Sequence, residues 1–142
     1  MAALTITAAQ VLPGTAPRET GIAGEAITQG QSVYFSSAGK WLKAQGDGTT
    51  IEAGALGYGI ALTATGADGQ PIVVARPGGT VTLGAGAAPA SGVVYYVGDT
   101  AGGIHPVADI GSGDKVLPLC IGVGSNQVLI LDDAYHAGAV LG

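Results

Sequence analysis

Charge is the first thing this sequence lacks. Only 11% of its 142 residues are Asp, Glu, Lys or Arg, where an average soluble protein carries roughly 25%. Arg18, Lys40, Lys43, Arg76 and Lys115 are the whole basic complement, and the formal net charge is −5. Cations this few and this scattered make no phosphate-neutralising stripe, so nucleic acid is excluded as a partner. The shortage also implies that neighbours cover part of the exterior, because a free monomer usually wears more charge. Cysteine is nearly absent as well. The single Cys120 excludes an intrachain disulfide framework. It stands in the apolar run "VLPLCIGV", where a small core residue is expected and no base lies near to make a nucleophile of it.

Helical patterning is missing too. No window holds apolar residues at helical spacing for three turns without Gly or Pro. The uncharged stretch 77–98, "PGGTVTLGAGAAPASGVVYYVG", is too broken by Gly, Pro, Ser and Thr to cross a membrane as a helix. The start, "MAALTITAAQVLPG", has no basic residue ahead of its apolar part and does not read as a secretory signal.

Reactive constellations fail in turn. There is no Gly-x-Ser-x-Gly elbow, no His-x-x-x-His, no Cys-x-x-Cys and no dense acidic loop of the calcium type. His105, in "GIHPVAD", reads as a loop or turn histidine, and His136, in "DAYHAGAV", as part of an exposed tail. Asp47, Asp132 and Asp133 read as solvated turn carboxylates. "GYGIAL" has two glycines of a dinucleotide fingerprint but not the third. No catalytic residue, cofactor site or metal site is expected, and no enzymatic activity.

What the chain does have is strand and turn. "QSVYF" (31–35), "KWLKA" (40–44), "GYGIALT" (57–63), "QPIVVARPG" (70–78), "TVTL" (80–83), "GVVYYVG" (92–98), "VLPLCIGVG" (116–124) and "QVLILDD" (127–133) are short, β-branched and bounded by turn residues. "KWLKA" reads as a half-buried edge strand, and Asp68-Gly69 as a hairpin signal. "EAGAL" (52–56) allows one helical turn. The fold expected is all-β, a compact barrel or sandwich. Residues 1–20, with Pro13 and Pro17, read as an extended N-terminal arm that adds a strand to a sheet edge, and 21–142 as a single β domain.

That domain reads as two degenerate repeats, about 23–80 and 85–133. "AGEAITQGQSVYF" (23–35) returns sixty-two residues later as "AGAAPASGVVYYV" (85–97), aligning Gly30 with Gly92 and Tyr34 with Tyr96. "LGYGIAL" (56–62) precedes "LPLCIGV" (117–123) by sixty-one. Gly30 and Gly92 are expected to hold positive φ or a close backbone approach. A three- or four-stranded unit buries too little to stand alone, so two units must share one interior.

The arm "LTITAAQVLPG", then "AGEAITQGQSVYFSSAGKWLKA", "GYGIALT", "GQPIVVARPG" and "VYYVGDTAGGIHPVADIGSGDKVLPLCIGV", follow an order that resembles the small capsid decoration, or cement, proteins of tailed bacteriophages. The resemblance spans nearly the whole chain. It implies a β-rich protein made in the host cytoplasm that binds the exterior of the virion. The partners it implies are the major capsid protein and copies of itself, as a homotrimer, with no membrane involved. It further implies that the arm, Ala2 to Val11, contacts the shell or a neighbouring subunit through Leu4, Ile6 and Val11. The alternative is a surface-displayed carbohydrate-binding or adhesin-like β module. That reading needs Trp41 and the tyrosines in an open groove, whereas such residues ordinarily pack small β interiors.

Overall fold

A computed structural model describes residues 4–36, 38–45, 57–97, 100–109, 115–116, 118–131 and 139–140. The chain is all-β. Two antiparallel sheets pack together as a sandwich, and the described helical residues are two three-residue 3-10 turns, Ala8–Gln10 and Val107–Asp109. "EAGAL" lies outside the described residues.

The five-stranded sheet has the order β2-β6-β5-β3-β4, from β2 (Arg18–Ile22), β3 (Ser32–Phe35), β4 (Trp41–Lys43), β5 (Tyr58–Ala61) and β6 (Pro71–Ala75). The six-stranded sheet has the order β1-β7-β12-β11-β8-β9, from β1 (Leu12–Pro13), β7 (Thr80–Thr82), β8 (Val94–Val97), β9 (Ile104–Pro106), β11 (Pro118–Gly124) and β12 (Gln127–Ile130). A short pair of β10 (Lys115–Val116) with β13 (Ala139–Val140) stands apart. Set β1 aside and the two sheets share one strand order, with β2, β3, β4, β5 and β6 corresponding to β7, β8, β9, β11 and β12. The correspondence reaches single hydrogen bonds. Gly30 N–H donates to Ala61 O at 2.8 Å and Ala61 N–H to Gln31 O at 2.9 Å; Gly92 N–H donates to Gly122 O at 2.8 Å and Gly122 N–H to Val93 O at 2.9 Å. Both glycines sit at positive φ, +87° and +80°, a region that costs a residue with a Cβ about 1–2 kcal/mol.

Strand alternation sorts the side chains. Between the sheets, Tyr34, Tyr58, Ile60 and Ala75 meet Val81, Tyr95, Val97, Ile104, Leu119, Cys120, Val128 and Ile130. Leu119 and Cys120 both turn inward because the register shifts by a bulge between Pro118 and Cys120. The other face of the five-stranded sheet is also buried. There Val33, Trp41, Ala61, Ile72 and Val74 lie under Ala23 and Ile27 from the connector after β2.

Of the local expectations, the edge strand holds and others change. "KWLKA" is an edge strand with Trp41 fully buried and Leu42 half-buried against the inter-sheet core. Asp68-Gly69 does not close a tight hairpin. The β5–β6 connection bulges outward to pair Thr65 with Ile27, and Gly69 is one turn within it. The tight reversal that "SN" before Gln127 marks is there: Ser125-Asn126, both at positive φ (55° and 61°), join β11 to β12. The N-terminal segment, expected to be extended, makes a 3-10 turn at Ala8–Gln10, and of residues 4–13 only Leu12–Pro13 joins a sheet.

Candidate docking surface

The groups that could carry chemistry are shut inside. Cys120 is free and fully buried, and burial pushes its thiol well above the ordinary range. That removes the thiolate a nucleophile or metal ligand needs. His105 is not on a loop. It sits in β9, buried, because its partner on β8, Tyr96, and the 3-10 turn at 107–109 close around it. Its Nδ1 lies 3.0 Å from Asp109 Oδ2. Burial alone would raise the Asp109 pKa, but its hydrogen bond with His105 and nearby positive charge hold the carboxyl below its ordinary value. His105 Nε2 is buried without a partner, against the backbone of Gly103. The described residues hold no group of three His, Cys, Asp or Glu able to bind a metal. His136, Asp47, Asp132 and Asp133 lie outside the described residues.

The aromatics do not form a groove. Trp41 is fully buried between Phe35, at 5.2 Å between ring centroids, and the Arg76 guanidinium, at 5.6 Å. Tyr34, Tyr58 and Tyr95 are core residues, and Tyr96 is half-buried on the outside of the six-stranded sheet. Stacking a sugar ring needs an open aromatic face, and four of the five candidates offer none.

Leu4, Ile6 and Val11 pack on the chain's own body. Val11 belongs to the inter-sheet core, with Leu4 and Ile6 half-buried against it. Leu4 N–H donates to Ile104 O on the β9 edge, and Leu12–Pro13 pairs with β7 on the opposite edge. The N-terminal segment therefore runs from one edge of the six-stranded sheet to the other, then supplies β2 to the edge of the five-stranded sheet. Beneath Leu4 and Ile6, facing Gln31 and Gly102, is an open pocket of about 200 Å³.

The surface that stands out is apolar. Among the described residues, five large aliphatics are exposed: Leu12, Ile22, Val93, Val107 and Val123. Strand register places four of them at one end of the six-stranded sheet. Leu12 pairs with Thr82 and Thr82 with Gln127; Val123 ends β11 beside Gln127; Val93 precedes β8; Val107 follows β9. This rim is bordered by strands that contain no Asp, Glu, Lys or Arg. Sequence reading passed over these residues because it looked for apolar positions inside strands. The available signal was a valine touching a turn, as in "SGV", "HPV" and "GVG", where no core position remains for it.

No family model, curated protein or solved structure matches this chain.

Proposed function

We propose that this chain is a structural protein of a phage virion, one that fastens to the outer surface of the capsid and bridges capsomers. The observation that carries the reading is the apolar rim. Val107 is 64% and Leu12 56% exposed, on a body whose described cysteine and histidine are both buried. Apolar side chains grouped in this way mark a surface that a partner covers. Leu4, Ile6 and Val11 have an indirect part in this reading. They clamp the N-terminal segment to the core and so fix Leu12 in the rim beside them.

The action is mechanical. Each bound copy adds interaction free energy that must be lost before the shell can open. Interface area converts poorly to affinity, so one copy contributes modestly. Bridging neighbouring capsomers makes the second contact effectively intramolecular, and the contacts reinforce one another. A stiff, doubly layered β body transmits load without local unfolding, which suits the task.

The test mixes purified protein with expanded, undecorated heads of the phage that carries its gene and sediments them. Co-sedimentation is expected, with heads that survive higher temperature. A Val107→Asp/Val123→Asp double variant is expected to fold, by circular dichroism, and to stay in the supernatant. Wild-type protein that never sediments with heads sinks the proposal.

A further inference from the structure

The two corresponding sheets do not use corresponding faces in the same way. In the five-stranded sheet, the face bearing Tyr34 and Ile60 packs against the other sheet. The corresponding residues of the six-stranded sheet, sixty-two and sixty-one positions on, are Tyr96 and Ile121, and they point outward. Ser32 pairs with Ile60 as Val94 pairs with Ile121. Ile121 in turn pairs with Leu129, and Leu129 with Thr80. Tyr96, Val94, Ile121 and Leu129 thus form a strip across three adjacent strands. All four are half-buried, and none belongs to either buried cluster.

The sandwich is therefore a head-to-tail stack of two like sheets. At one end Ala23 and Ile27 cap the outer face of the five-stranded sheet. At the other end the strip carries no such cap from the corresponding connector, because Ala87 of that connector enters the inter-sheet core instead. We infer that this strip is a self-association face, occupied by the same strip of a second copy related by a two-fold axis.

Three observations select that occupant. The chain itself shows what the corresponding face packs against, an apolar sheet face. The strands of the strip carry no charged residue, and the carboxylate at its edge, Asp109, is held by His105 at 3.0 Å, so two copies can meet there without bringing unpaired like charges together, although the chain as a whole is acidic. Head-to-tail addition of a further copy is blocked, because the face it would need is capped by Ala23 and Ile27. Of the ways two copies can stack through the strip, only the closed, isologous one remains. The inference extends the proposed function by naming a self-contact that borders the rim, since Val123 lies two residues from Ile121 on β11 and Val107 follows Pro106 beside Val94. A two-fold contact also differs from the threefold that the resemblance implies, so one measurement separates them.

That measurement is sedimentation equilibrium of the full chain over a hundredfold range of concentration, without heads present. A species of twice the chain mass is expected. Ile121→Thr/Leu129→Thr keeps strand-forming residues while removing apolar surface, and is expected to weaken association at least about tenfold. Ile22→Asp, at the exposed edge of the five-stranded sheet, is expected to leave association unchanged. As a check on geometry, Ile121→Cys is expected to give a disulfide-linked pair under mild oxidation, since Cys120 is buried and cannot compete. A chain that is monomeric throughout overturns the inference, and so does a trimer. A dimer indifferent to the Thr substitutions moves the contact elsewhere and overturns it too. Head binding is scored separately, so a monomer that still decorates heads refutes the two-fold contact and leaves the virion role standing.

Discussion

The two sheets share a strand order, a register and even paired hydrogen bonds, yet their surroundings are opposite. The five-stranded sheet is buried on both faces and has charge at its edges and loops. Arg18, Glu19, Glu25, Lys40, Lys43, Asp68 and Arg76 all lie in it or in its connectors, with Lys40–Asp68 paired at 2.8 Å and Lys43–Glu25 at 3.8 Å. The six-stranded sheet is buried on one face and has no charged residue in its strands. Topology is therefore not what distinguishes the halves. The difference comes from the connectors, one laid outside its sheet and the other drawn into the core. Two sheets of one strand order leave two outer faces, and among the described residues only that of the five-stranded sheet carries a buried apolar cap.

Corresponding tyrosines offer the harshest way to break this comparison. Tyr34 is 3% exposed in the inter-sheet core, and Tyr96 is half-buried outside it. Tyr34→Ala is expected to cost about 3–5 kcal/mol, as for other large aromatic truncations in cores. Tyr96→Ala is expected to cost under about 1 kcal/mol in dilute solution. Urea denaturation of both variants measures the difference, and equal losses would mean that the outer strip is core after all.

Next in size is the cap itself. Ile27 is 1% exposed, and truncation to alanine leaves a cavity over Trp41 and Val74. A loss of about 2–4 kcal/mol is expected. If Ile27→Ala is nearly neutral, the five-stranded sheet is not sealed by its connector, and the asymmetry between the sheets disappears.

The corresponding glycines sharpen the same point with backbone held constant. A Cβ at Gly92 meets nothing within 4 Å, so Gly92→Ala bears only the strain of its positive φ, about 1–2 kcal/mol. A Cβ at Gly30 falls 2.5 Å from Ile6 Cγ2 and 2.9 Å from Val11 Cγ2. Overpacking of this kind adds about 1–3 kcal/mol. Gly30→Ala is therefore expected to be clearly worse, with the N-terminal segment displaced. Proteolysis near residue 10, faster in Gly30→Ala than in Gly92→Ala, reports that displacement directly.

Much of the fold was legible in the sequence because glycine and β-branched residues leave few choices. Each of the eight runs read as a strand contains one, and Gly30 and Gly92 hold the conformation their positions called for. Cys120 packs in the core as its apolar run suggested. Less could be read where a local signal met a tertiary one. Asp68-Gly69 would close a hairpin alone, but the Ile27–Thr65 bridge pulls the connection outward. His105 beside Pro106 looks like loop, yet its strand neighbours and Asp109 bury it. Which face of a strand meets the core is the hardest to read, since Tyr34 and Tyr96 occupy like positions in like segments. Only the path of the connectors decides between them, and that path is set by packing at a distance in sequence. The docking rim was hidden for the same reason, because its valines become surface only once neighbouring positions have filled the interior.

The smallest expected effect concerns Asp109, the one described carboxylate buried against the uncharged sheet. Its pKa is lowered from an ordinary 3.8 in the folded chain, so the unfolded chain holds the proton more tightly. Its contribution to stability is therefore fully present above pH 3.8, and it is lost as pH falls through the lower, folded value. Asp109→Asn keeps the size of the side chain but removes the charge. The variant is expected to be less stable than wild type at pH 7 by about 1–2 kcal/mol, since the hydrogen bond with His105 loses its charged carboxylate, and the gap is expected to narrow below pH 3.8. The carboxylates of the five-stranded half stand half-exposed or exposed, and Asp68→Asn should change stability by less than about 1 kcal/mol, with no such convergence in acid. Denaturant midpoints for the two variants between pH 2.5 and 7 measure this contrast. A pH-independent gap for Asp109→Asn would show that the carboxylate acts there only by its shape, and that the six-stranded sheet is as indifferent to charge as its strands are empty of it.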